Sequence, residues 1–204
     1  MGTVPDATRR VIFRTPVGTG FWAVLVAVGL LLGGCSGGGE EPSPAPRSES
    51  SAQDVRVVTD SGIGKVRGPL SRPRRAEVVR DVTAVVDAWS NRAYGGSYPR
   101  TDFDDAFTAF TPYARALALR KSSLLSNAGA GGELEAATIA RRVVRVDVLA
   151  PRGRVAGATA RVRIVLDLSG PADRREVVTG RLLLSPTAKG WRVFGFDVSR
   201  GRES

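Results

Sequence analysis

The chain has 204 residues, of which 42% are hydrophobic, and this is enough apolar content for one packed domain with appended segments. It contains no histidine and one cysteine, which excludes imidazole bases, Ser-His-Asp and Cys-His catalytic arrangements, internal disulfides and zinc sites built from histidine and cysteine. The net charge is +10, but the basic residues are almost all scattered arginines, the lysines being Lys65, Lys121 and Lys189. Without interleaved aromatic side chains they predict a solvated surface and no nucleic-acid partner.

Residues 1–34 have the three parts of a secretory signal peptide. Three arginines within the first fourteen residues precede an apolar run from Phe21 to Leu32, and small residues follow it. The motif Leu32-Gly33-Gly34-Cys35 resembles the lipobox of bacterial lipoproteins, with a leucine three positions before the cysteine and a small residue directly before it. The resemblance implies that Cys35 carries a diacylglycerol thioether, becomes the mature N-terminus and anchors the protein in membrane lipid at the outer face of the cytoplasmic membrane.

An uncleaved transmembrane helix over residues 17–34 is the alternative, since a segment of this length at a rise of about 1.5 Å per residue almost crosses a bilayer. Both interpretations place the rest of the chain outside the cytoplasm. Residues 35–54 form the lipidated cysteine and a tether rich in Gly, Ser, Pro and Glu, which cannot bury a core. The tether has an r.m.s. length of roughly 25 Å, so the attached domain stays close to the membrane.

Residues 55–204 form the predicted globular domain. Its start, residues 55–70, is ambiguous, and a short strand over residues 55–58 is one interpretation. From Ser71 an apolar stripe with helical spacing predicts an amphipathic helix that Gly95 ends. A second helix is predicted from Thr101, which resembles the start of a capping box, and a third from Thr111 and Pro112.

After Gly132 the apolar period changes from 3.6 to 2, which predicts strands. Four strands are predicted, over about residues 144–150, 158–168, 174–184 and 190–198, and turn sequences separate them. We therefore expect an α+β domain in which three N-terminal helices pack on one face of a curved antiparallel sheet of about four strands.

The segments "AVVDAWSNRAY" and "GWRVFGFDVSR" resemble the first helix and the closing strand of the nuclear transport factor two-like, ketosteroid-isomerase-like superfamily. The likeness covers about residues 74–200 and lies in element order and hydrophobic pattern. It implies a cone in which the sheet wraps the long first helix. Similar domains occur in accessory proteins of actinobacterial mammalian-cell-entry lipid importers and as unassigned lipoproteins. Such a likeness implies a fold and does not assign an activity.

No catalytic, cofactor-binding or metal-binding residue is predicted. Ketosteroid isomerases need an aspartate base and protonated oxyanion donors in the pocket. Here Asp147 and Asp167 fall out of phase with the aliphatic residues of their strands, so they belong to the opposite, solvent face, where they predict cross-strand pairs with arginines. The acidic run of Asp102, Asp104 and Asp105 is interpreted as favourable charge at a helix start, although it also suggests a metal site.

Four aromatic residues, Trp89, Tyr94, Phe107 and Tyr113, have two interpretations: core packing, which is usual at helical spacing, or the lining of a pocket mouth. We expect a non-enzymatic assembly or binding module at the cell envelope, with an envelope protein as a partner. The alternative is a small apolar-ligand binder or isomerase-like enzyme that uses the cone pocket.

Overall fold

The computed structural model describes residues 57–171 and 173–203, so the predicted signal peptide, Cys35 and the tether lie outside the described residues. Residues 52–204 form one compact unit. The elements in chain order are β1 (Thr59–Arg67), α1 (Arg72–Tyr94), a 3₁₀ turn (Asp104–Phe107), α2 (Pro112–Arg120), α3 (Ser122–Leu125), β2 (Ala136–Leu149), a second 3₁₀ turn (Pro151–Gly153), β3 (Gly157–Ser169), β4 (Arg174–Thr187) and β5 (Gly190–Arg202). None of the helices in this part of the chain is both long and apolar enough to span a bilayer.

The prediction of three N-terminal helices on a four-stranded antiparallel sheet is wrong. A strand, β1, precedes the helices and pairs in parallel with β2, with Ser61 opposite Val144. The sheet therefore has five strands in the order β1-β2-β3-β4-β5. It is mixed, because β1 and β2 are parallel whereas the pairs β2–β3, β3–β4 and β4–β5 are antiparallel.

The second and third predicted helices are also corrected. Thr111 precedes Pro112, and the proline ring favours an extended conformation at Thr111 (φ −65°, ψ 159°). The segment before it forms only the 3₁₀ turn Asp104–Phe107, because Phe110 forms a β-bridge with Val193 of β5. The predicted third helix divides into α2 and α3 at Lys121, whose φ of −116° and ψ of 30° are not helical.

The long helix α1 packs its apolar stripe onto one face of the sheet. Val78, Val82, Val86, Trp89 and Ala93 are at most 3% exposed. They join the alternate aliphatic side chains of β2, β3 and β4 in one continuous core. Burial of each larger side chain contributes about 1.5–3 kcal/mol, so this packing fixes how α1 lies against the sheet.

The opposite face of the sheet carries charged side chains in ion pairs, which join neighbouring strands or, for Glu203, the residue directly after β5. The pairs are Arg145–Asp60 (3.0 Å), Arg161–Asp147 (3.0 Å), Arg163–Glu203 (3.0 Å), Arg175–Asp167 (2.6 Å) and Arg181–Asp197 (3.0 Å). The interpretation of Asp147 and Asp167 as members of charge pairs is confirmed. Because each arginine on this list has a carboxylate partner, the charges within these five pairs cancel.

Candidate ligand-binding groove

A groove with a volume of about 810 Å³ lies between α1 and β1. We call it the α1–β1 groove. On α1 its lining residues recur at intervals of three and four, which places them on one stripe of the helix beside the buried stripe. The lining residues are Ser61, Ile63, Arg72, Arg75, Ala76, Val79, Arg80, Thr83, Ala84 and Asp87. Since β1 is an edge strand, pairing with no strand on its other side among the described residues, nothing from the sheet fills the space next to it.

Thr83 places a polar atom in the apolar wall of this groove. The residue is 8% exposed, and its Oγ1 has no hydrogen-bond partner among the described residues. A buried hydroxyl without a partner costs about 1–3 kcal/mol. Surrounding protein atoms cover this oxygen, so it is an unsatisfied polar group behind the wall of the groove.

The end of the groove near the start of α1 carries a positive excess. Arg72 forms no ion pair within the described part of the chain, and the Nε atom of Arg75 donates to the carbonyl oxygen of Leu70 (2.8 Å). Only Arg80 has a carboxylate partner, its neighbour Asp81 (2.9 Å). The first turn of α1 contains no acidic residue. This end therefore suits an acidic group.

At the other end of the groove, the lining residue Asp87 pairs with a buried arginine. The side chain of Arg142, from β2, is 3% exposed, and its Nε atom lies 2.8 Å from the carboxylate of Asp87. It also donates to the hydroxyls of Thr59 (2.7 Å) and Ser90 (2.6 Å) and to the amide oxygen of Asn91 (2.7 Å). Burial lowers the pKa of Arg142, and the charge of Asp87 offsets part of that shift. Asp87 also accepts from Thr59 (2.7 Å), so its carboxylate is engaged in structure.

Sequence reasoning missed Arg142, although a signal for it exists. Arg142 lies two residues before Val144 and is therefore in phase with the aliphatic, core-facing residues of β2. An arginine at such a position has to find buried partners, since an unpaired buried charge is strongly destabilising.

The four aromatic residues discussed as pocket lining lie elsewhere. Trp89, Tyr94 and Phe107 are buried at 1%, 0% and 0% exposure, and the rings of Trp89 and Tyr94 pack edge to face at 5.7 Å. Burial raises the pKa of Tyr94. Tyr113, on α2, is 77% exposed. The first three are core residues, and the α1–β1 groove is lined by none of the four.

The end of the sheet near Tyr94 holds a second buried polar network. Arg200 pairs with Glu176, and their side chains are 10% and 13% exposed. Arg200 also donates to the carbonyl oxygen of Ser126 (2.6 Å) and to the amide oxygen of Asn127 (2.8 Å). Asn127 in turn donates to the hydroxyl of Tyr98 (2.7 Å). The network joins β4 and β5 to the loop after α3, and its groups satisfy one another.

The acidic run of Asp102, Asp104 and Asp105 is explained by local contacts. Asp102 accepts a hydrogen bond from the backbone of Asp104 (2.9 Å). Asp104 lies 3.6 Å from Arg115, and Asp105 lies 4.0 Å from Arg92. Within residues 57–171 and 173–203 no group of three or more acidic residues is arranged to hold a metal ion.

Comparison with protein-family models, with curated proteins and with solved structures found no match to this chain. The resemblances to bacterial lipoproteins and to the nuclear transport factor two-like superfamily therefore stay predictions from the sequence.

Proposed function

We propose that the protein is a membrane-anchored extracytoplasmic lipoprotein, and that its domain is a non-enzymatic binding module at the cell envelope whose α1–β1 groove takes an amphiphile with an apolar tail and an acidic head. The observation that carries the binding role is the α1–β1 groove itself, which combines the apolar side chains of Ile63, Val79 and Ala84 with a positive excess at the start of α1.

The dimensions of the groove suit such a ligand. Its volume of about 810 Å³ falls within the range of small-molecule sites. From Arg72 to Asp87 the helix advances by roughly 22 Å, which gives the groove the length of an extended chain. Val79, Ala84 and Ile63 provide apolar contact along it, and Arg72 and Arg75 provide positive charge at one end.

The anchoring role is supported by the sequence. A basic segment, a short apolar run and the motif ending in Cys35 occur in the order of a lipoprotein signal. Two acyl chains on Cys35 would give a stable anchor, where one chain would be marginal. A domain held near a bilayer has ready access to amphiphiles.

The proposal is tested with residues 52–204, a compact unit with its own core. Native mass spectrometry of this unit, secreted from a bacterial host, should show a reproducible added mass. Displacement of dansyl-labelled undecanoic acid, which has an apolar chain and a carboxylate, should report the same site. A clean apo mass together with no binding of the probe would contradict the binding role.

Ala84→Phe places the groove within that test. Ala84 is exposed and lines the groove, so a phenyl ring there should occupy part of it and weaken probe binding several-fold. The stability of the empty domain should change by less than about 1 kcal/mol. Thr138→Phe is the matched control, because Thr138 is exposed on β2. Its probe binding should equal that of the parent domain. Equal probe binding by Ala84→Phe and the parent domain would exclude the groove as the site.

A further inference from the structure

We propose that one end of the sheet is a docking surface for anionic phospholipid. We define this basic end by the cations Lys65, Arg67, Arg152 and Arg154 and by the exposed apolar side chains of Leu149 and Phe194. It is a second surface, with residues different from those of the α1–β1 groove. The proposed anchoring supplies the nearby membrane, and to that extent the inference rests on the proposed function.

Backbone contacts bring these residues together. Arg67 is opposite Leu149 in the parallel pairing, and its carbonyl oxygen accepts from the backbone of Ala150 (2.8 Å). Arg152 and Arg154 lie in the turn that follows, and a Cβ at Gly153 would be 3.5 Å from the carbonyl oxygen of Pro69. The turn between β2 and β3 therefore lies against the connection from β1 to α1.

The cations of the basic end have no carboxylate partner within ion-pair distance in the described part of the chain. Five arginines elsewhere on the outer sheet face have carboxylate partners, as described above, so those pairs contribute little net charge. Asp147 lies beside Lys65, but its carboxylate already pairs with Arg161 and accepts from the backbone N–H of Lys65 (2.7 Å). The basic end thus has charge available for anions from outside the protein.

Exposed apolar groups lie next to these charges. Leu149 is 51% and Phe194 49% exposed, and together with Leu183 they line a cleft of about 420 Å³ that also includes Lys65 and Arg67. Aliphatic and aromatic groups beside basic ones are typical of surfaces that insert into the headgroup region of a bilayer. A nucleic-acid surface would need several stacking aromatics along the cations, whereas the basic end has one exposed ring, Phe194, with the aliphatic Leu149 beside it.

The conformation of the turn supports a functional use. Arg152 has φ 52° and ψ 33°, a left-handed backbone conformation that residues other than glycine and asparagine adopt at some cost in free energy. Within the described residues it is the one non-glycine residue with positive φ. Glycine at this position would fold more easily, yet the chain has an exposed arginine there.

The proposed anchor can reach this surface. The tether enters at the start of β1, and the basic end is at the end of β1, about 30 Å away along the strand. Residues 36–54 have an r.m.s. length of roughly 25 Å and extend to about 65 Å. The chain is therefore long enough for Cys35 and the basic end to contact one bilayer.

The test is cosedimentation of residues 52–204, which carry no anchor, with vesicles of phosphatidylcholine alone and of phosphatidylcholine mixed with phosphatidylglycerol. We expect binding to the mixed vesicles that falls with added salt. The double variant Arg67→Gln with Arg154→Gln should bind about thirtyfold more weakly, since each basic residue near an anionic surface contributes about 1 kcal/mol. Leu149→Thr should weaken binding with little change in its salt dependence.

The control is Arg141→Gln with Arg202→Gln, which removes two exposed strand cations far from the basic end and should change binding less than twofold. Arg152→Gly removes a cation and introduces a residue that adopts the left-handed conformation without strain. The variant should therefore bind the vesicles more weakly while its fold is kept. Equal losses in the test and control doubles, no preference for the mixed vesicles, or tighter binding to a single-stranded oligonucleotide would overturn the inference. The variant Arg67→Gln with Arg154→Gln should bind the dansyl probe in the α1–β1 groove as the parent does. Failure of vesicle binding can therefore be distinguished from failure of the proposed function, which the probe tests.

Discussion

Glu176 is the acidic group whose surroundings most directly connect protonation to stability. Burial alone would raise its pKa, but hydrogen bonds from Arg174 and Arg200, together with their charges, outweigh burial and lower the pKa below its usual value of 4.5. A carboxylate with a lowered pKa in the folded state stabilises that state fully above the unfolded-state value. The stabilisation is lost as the pH falls from 4.5 through the lower folded-state pKa.

We therefore expect residues 52–204 to lose stability below about pH 4.5, and Glu176→Gln to lose less over the same range. At pH 7 the variant should be less stable by about 1–3 kcal/mol, because Arg200 stays buried without its counter-charge. Urea denaturation at a series of pH values measures both effects. Glu133→Gln, at an exposed position, is the control and should follow the parent. If the free energies of unfolding of Glu176→Gln and the parent fell in parallel as the pH is lowered, this role would be refuted.

The absence of histidine predicts little change in stability between pH 6 and 8.

Among the elements, β1 depends on a close approach that one glycine allows. The carboxylate of Asp147 on β2 lies over the backbone of Gly64 and accepts from the N–H of Lys65 (2.7 Å). A Cβ at Gly64 would overlap Asp147 Oδ1 and lie 2.9 Å from a terminal nitrogen of Arg161. Gly62, on the same strand, has room: a Cβ there would be 3.9 Å from the side chain of Arg145.

Gly64→Ala should therefore destabilise the domain by about 1–3 kcal/mol, because the Asp147–Arg161 pair must move or β1 must separate from β2. Gly62→Ala should be neutral or stabilising by up to about 1 kcal/mol, since alanine restricts the unfolded chain. Thermal or urea unfolding of the two variants gives the comparison. Equal stabilities would show that the parallel β1–β2 pairing does not depend on this approach.

The same glycines explain which elements could be predicted. Regular apolar spacing predicts α1 and the strands β2–β5, since each buries one stripe or one face. β1 contains Gly62 and Gly64 where an alternating pattern needs side chains, so its nine residues give no period. Without β1 the sheet was predicted as wholly antiparallel, and the α1–β1 groove, which needs β1 as one wall, had no basis in the sequence pattern.

For the whole molecule, the question is which part of the chain keeps it at a membrane. The described domain has a proposed lipid-facing surface, but such charge-driven contacts are weakened by salt. A covalent diacyl anchor would not be. We therefore propose that Cys35 holds the protein at the membrane, while the basic end determines the orientation of the domain relative to anionic lipid.

Cys35→Ala in the full chain should abolish labelling by a palmitate analogue in a bacterial host and leave unprocessed precursor, because the thioether to diacylglycerol needs the thiol. Ser36→Ala, one residue further on, leaves the thiol in place and should be labelled and processed normally. Mass spectrometry of the N-terminus distinguishes the alternatives. An intact N-terminus without lipid in the parent protein would favour the transmembrane helix over residues 17–34. Labelling that persists in Cys35→Ala would place the acyl group elsewhere, since the chain has no second cysteine.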